Sequence, residues 1–134
     1  PPLLESGLKR SSDLARILKK SGIRAVYASQ YLRTRQTAEP LSKQSGVPVT
    51  VVPVRMSPMN PRELSKESIG ELVENIYRHP GENALIVGHS NTVPEIIRAL
   101  GGDIVPVIDD AEYDNLYIVT IVERGKAKVA RLTY

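Results

Sequence analysis

The sequence predicts an α/β fold, a three-layer sandwich in which a mostly parallel sheet carries helices on both faces and ends in a C-terminal hairpin. Three observations lead there. Segments with apolar residues three and four apart alternate with short apolar runs. Those runs are apolar almost throughout, which suits strands buried on both faces of a parallel sheet. Gly and Pro punctuate the boundaries, and the order that results is helix, strand, helix, strand, helix, strand, helix, hairpin.

From Leu8 to Lys20, residues Leu14, Ala15, Ile17 and Leu18 share a helical stripe, with Gly22 as the C′ residue beyond it. Ile23 to Ala28 reads as a buried strand that ends at Ser29-Gln30. A second helix runs from about Leu32 to Ser45, its apolar side marked by Ala38 and Leu41, with a kink point at Pro40 and a stop at Gly46. Val47 to Val52 is β-branched with a proline near its start, the pattern of an edge strand. After a loop with three prolines, Ile69, Leu72, Val73, Ile76 and Tyr77 define a third helix that His79-Pro80-Gly81 ends. Ala84 to Val87 is the most apolar strand, and a helix follows from Val93 to Leu100, with Pro94 tolerated in its first turn. Leu116 to Val122 and Ala127 to Leu132 flank Glu123-Arg124-Gly125-Lys126, a hairpin whose glycine supplies φ > 0.

Composition bounds the function. The 134 residues fit one ordinary domain, 1–134, with 41% hydrophobic and 25% charged residues. Eighteen Lys and Arg against 15 Asp and Glu leave a net charge of +3, a bias that helps an anionic substrate without forming a separate basic tract. All six aromatics are Tyr, which disfavours a base-stacking surface, so no nucleic-acid partner is expected. With no Cys there is no disulfide, thiolate metal site or Cys nucleophile. No apolar run reaches the length of a bilayer span, so no membrane partner is expected. The expected location is cytoplasmic, although an opening at Pro1-Pro2 is compatible with a processed product that has shed a leader.

Two segments carry chemistry, each at the carboxyl end of a predicted strand where open α/β sheets bind ligands. In Ser29-Gln30-Tyr31-Leu32-Arg33-Thr34-Arg35-Gln36-Thr37-Ala38, Arg33 can present a planar fork of donors to a phosphoryl group, with Ser29 and helix-start amides beside it. An arginine is ordinarily a surface residue, and this strand-turn-helix setting is what separates Arg33 from the rest. In Ile86-Val87-Gly88-His89-Ser90-Asn91-Thr92, Gly88 permits a sharp turn and His89 projects from the sheet crest as a phosphate-binding cation or an acid/base group. Ser90 and Asn91 complete the phosphate-binding set of Arg33, His89, Ser29, Ser90 and Asn91. His79 reads as a helix-end residue stabilised by the macrodipole. The Gly88-to-Thr92 run is a poor nucleophile elbow, because Thr92 stands where that motif has Gly and no His follows Ser90. With two His and no Cys, a metalloenzyme would depend on carboxylates for nearly every ligand, so no metal or organic cofactor is expected.

Together these segments resemble the histidine phosphatase superfamily, the phosphoglycerate-mutase-like fold. Pro1-Pro2-Leu3-Leu4-Glu5-Ser6-Gly7 is similar to the family's P-L-T-x-x-G entry to its first helix, with Leu4 in place of the usual capping Thr or Ser. Ser29 to Ala38 resembles its S-x-L-x-R-x-x-Q-T-A signature, here matched as S-x-x-L-R-x-x-Q-T-A, and Ile86 to Ser90 resembles V-x-G-H-S/G. The resemblance implies that Arg33 and His89 are catalytic groups that clamp the phosphoryl oxygens, and that Arg35 stands outside that role. It also implies hydrolysis of a phosphomonoester or phosphohistidine, carried by a phosphorylated small molecule or a phosphoprotein, through a phosphohistidine intermediate. A non-catalytic phosphate-binding or interaction module is the alternative. The short stretch between Val52 and Ser65 leaves no room for a large substrate-binding insert, as in the small phosphohistidine-phosphatase-like branch. The family's acid donor has no clear counterpart; Glu63 and Glu67 are nearby and read first as solvated helix-start residues.

One departure matters more than these matches. The family's nucleophile is the His of an R-H-G or R-H-A motif on a strand upstream of the P-L-T-like entry, and neither motif occurs in these 134 residues, where the Arg-His pair Arg78-His79 is followed by Pro80. The resemblance places that strand between the strand ending at His89 and the one beginning near Leu116. Without it, backbone donors and acceptors of its two neighbours lose their partner. The expectation is one of three arrangements: the strand precedes this sequence, its neighbours close up, or a second copy supplies a strand in a swapped homodimer.

Overall fold

The element order follows the predicted one: α1 (Glu5–Ile17), β1 (Ile23–Ala28), α2 (Leu32–Ser45), β2 (Val49–Val51), α3 (Lys66–Tyr77), β3 (Asn83–Val87), α4 (Val93–Ala99), β4 (Asn115–Glu123) and β5 (Lys126–Thr133). The structure is a computed structural model that describes residues 2–60, 65–103, 105–106, 108–109 and 112–134. It divides into two compact units, the first formed by Pro1–Pro53 with His79–Gly88 and the second by Val54–Arg78 with His89–Tyr134.

The first unit holds a parallel sheet of order β2-β1-β3. Val26, Tyr27 and Ala28 are consecutive and all buried, as a central strand covered on both faces requires. Beside β1 lies α2, which buries Thr34, Ala38 and Leu41, with Ala38 at 0% exposure allowing close approach. The helix runs on through Pro40, whose missing N–H leaves the Gln36 carbonyl without its intrahelical donor. At its end Gly46 takes the left-handed conformation expected of it, φ 75°. Packed against α2 is α1, tied to it by the Gln44 side-chain amide donating to the Ala15 carbonyl at 2.8 Å.

Helix α1 departs from the sequence reading at both ends. It starts at Glu5, capped only by the extended backbone of Leu4, and its buried stripe begins with Gly7 and Ser11 before Leu14 and Ala15. Small residues carry no hydrophobic signal, so periodicity alone started the helix too late. Its last turn closes at Leu18, whose N–H donates to the Leu14 carbonyl, so Gly22 is not the C′ residue. Gly22 has φ 70° and serves the turn into β1 instead. Likewise β2 has three residues rather than six, and it does lie on the sheet edge.

In the second unit α3 packs against α4, burying Leu72 and Val73 on one helix and Ile96 and Ile97 on the other. Ser65 caps α3, its hydroxyl accepting from the Ser68 N–H at 3.2 Å. The hairpin β4-β5 is antiparallel with Val119 opposite Val129, and Gly125 in its turn has φ 81° as anticipated. Among the described residues β4 pairs with β5 and β3 with β1. The hairpin turn is anchored within its unit. The Gly125 N–H donates to the Tyr77 hydroxyl at 3.2 Å, and the Ala127 N–H to the Gly101 carbonyl at 3.3 Å. Arg124 lies 4.3 Å over the Tyr77 ring and 2.6 Å from a Glu74 oxygen. The hydrogen bond from Arg124 and then its charge hold the Glu74 carboxyl below the usual carboxylate range.

Gly101 has φ 89°, and a Cβ on it would stand 2.1 Å from the Gly125 carbonyl oxygen. Gly101→Ala therefore strains two backbones at once and should cost at least about 2 kcal/mol, read by chemical denaturation. Glu74→Gln removes an exposed ion pair and should lower the melting temperature slightly at low salt. Because the folded-state carboxyl sits below its unfolded value, that contribution is full above the unfolded value and fades as the pH falls through the folded one. The variant's deficit should shrink in acid and in high salt, as melting curves across pH and salt will show.

Candidate functional site

Strands β1 and β3 are adjacent and parallel, and their last residues, Ala28 and Val87, face each other in register. The two segments singled out in the sequence thus leave neighbouring strands at the same carboxyl-terminal level, starting at Ser29 and at Gly88.

The first segment is locked by Thr34. Its hydroxyl lies 3.1 Å from the Ser29 carbonyl, 2.9 Å from the Tyr31 carbonyl and 2.8 Å from the Ser29 hydroxyl. A hydroxyl has one proton, so when Thr34 donates to a carbonyl the Ser29 hydroxyl must donate to Thr34. Both residues are 3% exposed. The Ser29 hydroxyl takes part in this turn, in the loop that leads into α2 and Arg33. The Tyr31 carbonyl also accepts the Arg35 N–H, which sets the first turn of α2. Arg33, the second residue of α2, is half-buried and its guanidinium carbon sits 4.9 Å over the Tyr31 ring, whereas Arg35 is exposed. The first turn of α2 contains no acidic residue. Gln36, part of the same signature, accepts the Leu3 N–H through its side-chain oxygen at 2.8 Å and so pins the approach to α1.

The second segment is locked by Thr92. The His89 N–H donates to the Thr92 hydroxyl at 2.8 Å, and the Thr92 and Val93 N–H groups donate to the His89 carbonyl at 3.0 and 2.9 Å. Thr92 is fully buried at 0% exposure, while His89 and Ser90 are half-buried and Asn91 is exposed. Seven residues long, α4 offers little macrodipole. His79 is exposed, with Nδ1 3.6 Å from a Glu82 carboxylate oxygen, in keeping with a structural residue beyond α3. Glu67 stands exposed in the first turn of α3, and Glu63 lies outside the described residues.

Sequence reasoning passed over Thr34 and Thr92. The available signal was a short hydroxyl residue where a strand-end loop enters a helix, the place where Ser and Thr bond to nearby backbone.

Residues 1–54 match the family model of the histidine phosphatase superfamily (branch 1). No curated protein matches the chain by sequence. Among solved structures, Bacillus stearothermophilus YhfR superposes with a TM-score of 0.69 at 19% identity, over 96% of this chain and 83% of its own. The alpha-ribazole phosphatase from Shigella flexneri gives 0.69 at 13% identity, over 99% and 84%. A mycobacterial glucosyl-3-phosphoglycerate phosphatase in complex with inorganic phosphate gives 0.66 at 15%, over 96% and 86%. The fold is therefore phosphoglycerate-mutase-like. The match to the superfamily's model covers the first 54 residues, and the likeness of fold extends over most of the chain.

Thr34→Val keeps the shape of the side chain but leaves the Ser29 hydroxyl and a carbonyl short of a partner in a buried turn. It should cost about 1–3 kcal/mol. Thr34→Ser should retain most of the wild-type stability, and denaturant titration of the two variants checks this.

Proposed function

We propose that this chain is part of a histidine-type phosphatase acting on a phosphomonoester or phosphohistidine, to which Arg33 and His89 each contribute phosphoryl-binding groups. The observation that carries the reading is the in-register exit of the Ser29 and Gly88 segments from β1 and β3. The family match over residues 1–54, which contains Arg33, supports it. Arg33 contributes a fixed charge and a planar fork of N–H donors. His89 contributes an imidazole whose backbone Thr92 holds at both N–H and C=O. Ser90 and Asn91 add neutral donors, and Ser29 acts through the turn.

Catalysis by this route needs in-line attack on phosphorus by a histidine nitrogen, departure of the leaving group with a proton, and hydrolysis of the phosphohistidine by water. Arg33 and His89 would stabilise the charge on the non-bridging oxygens at both steps. In the family the nucleophile belongs to an R-H-G segment; of the two histidines in these 134 residues, His79 follows Arg78 but precedes Pro80, and His89 follows Gly88. The second reading is a phosphate-binding module without turnover. The short stretch of sequence between Val52 and Ser65 leaves no room for a large substrate-binding insert, which supports a substrate of the phosphohistidine-phosphatase-like kind, a phosphorylated small molecule or a phosphoprotein.

Tungstate or phosphate should raise the melting temperature of the 134-residue chain. Arg33→Ala and His89→Ala should each weaken tungstate binding at least about tenfold, while Arg35→Ala changes it little. Hydrolysis of p-nitrophenyl phosphate should require a histidine-bearing R-H-G segment, and in that form Arg33→Ala should lower kcat by about 10²–10³. Equal losses from Arg35→Ala would mean that the wrong arginine has been assigned. Stabilisation without turnover even with the segment present would favour the binding module.

A further inference from the structure

We infer that Tyr31 is a positioning residue for Arg33, holding the guanidinium so that its donor edge meets the oxyanion; this rests on the phosphoryl-binding reading above. The guanidinium carbon of Arg33 lies 4.9 Å over the Tyr31 ring, inside cation–π range. All N–H donors of a guanidinium lie in its plane, so a ring over the central carbon covers a face and leaves the edge to chelate a tetrahedral anion. An arginine side chain has many rotamers, and each one excluded before binding lowers the ordering cost on binding.

The structural work done at position 31 is separate from its ring. Tyr31 is the N-cap of α2 with no side-chain capping bond, and its backbone carbonyl receives both the Thr34 hydroxyl and the Arg35 N–H. The side chain is 41% exposed, so it is not a core-filling group. A large aromatic side chain kept half in solvent two residues before the phosphate-binding arginine is accounted for by its contact with that arginine.

The test is calorimetric titration of sodium tungstate into the 134-residue chain and four variants, each checked for unchanged circular dichroism. Tyr31→Leu should weaken binding roughly two- to fivefold, as expected for loss of an exposed cation–π contact. Tyr31→Phe, which keeps the ring, should restore wild-type affinity. Arg33→Ala should lose at least about tenfold, and Tyr31→Leu combined with Arg33→Ala should be no weaker than Arg33→Ala alone. If Arg33→Ala loses binding while Tyr31→Leu matches wild type, or if Tyr31→Phe is as weak as Tyr31→Leu, the positioning role is wrong and the phosphoryl-binding reading stands. If the unaltered chain does not bind tungstate, that reading fails first.

Discussion

The candidate site depends on one pairing, the parallel register of β1 with β3. Ala28 opposite Val87 sets where two separate stretches of chain leave the sheet, and all the residues assigned to the anion follow one or the other within a few positions. A one-residue slip in that pairing would reverse the faces of every β3 side chain relative to β1 and shift one exit along the other. Burial of Val26, Tyr27, Ala28 and Leu85 opposes such a slip, since each would exchange a packed environment for another's. The register is thus a property of the apolar core that the polar site inherits.

Beyond the strand ends the geometry passes to two buried threonines. Thr34 and Thr92 each convert a loop that could take many conformations into one in which the neighbouring backbone groups are satisfied by a side chain. Arg33, next to Thr34, and His89, whose N–H donates to Thr92, are polar and half-buried. Rigid support of this kind matters for an oxyanion site because donors already in place require no reorganisation when charge develops. Tyr31 extends the same principle from backbone to guanidinium.

The order of elements was legible because each long element carries its own local signal, and β1, α2 and the β4-β5 hairpin fall within a residue or two of their expected bounds. Local signal failed where burial is achieved by something other than large apolar side chains. The α1 stripe starts with Gly7 and Ser11, which hydrophobic periodicity does not register. Gly22 looked like a helix stop because glycine commonly ends helices, yet its positive φ serves the entry to β1. Val47 to Val52 has strand character throughout, but only the three residues opposite Val26, Tyr27 and Ala28 have a partner to pair with. Strand length is decided by the neighbour.

By itself the sequence determined the fold class, the superfamily resemblance and the two chemistry-bearing segments, with Arg33 and His89 as their central residues. These follow from residue identity and short-range spacing, which no distant part of the chain needs to supply. Only the tertiary structure decided that β1 and β3 end side by side, that the Ser29 hydroxyl meets that of Thr34, that Thr34 and Thr92 are the braces, and that Tyr31 lies against Arg33. Each of these depends on which groups meet in space after the strands pair, and hydrogen-bond partners and ring contacts are chosen by distance and burial rather than by position along the chain.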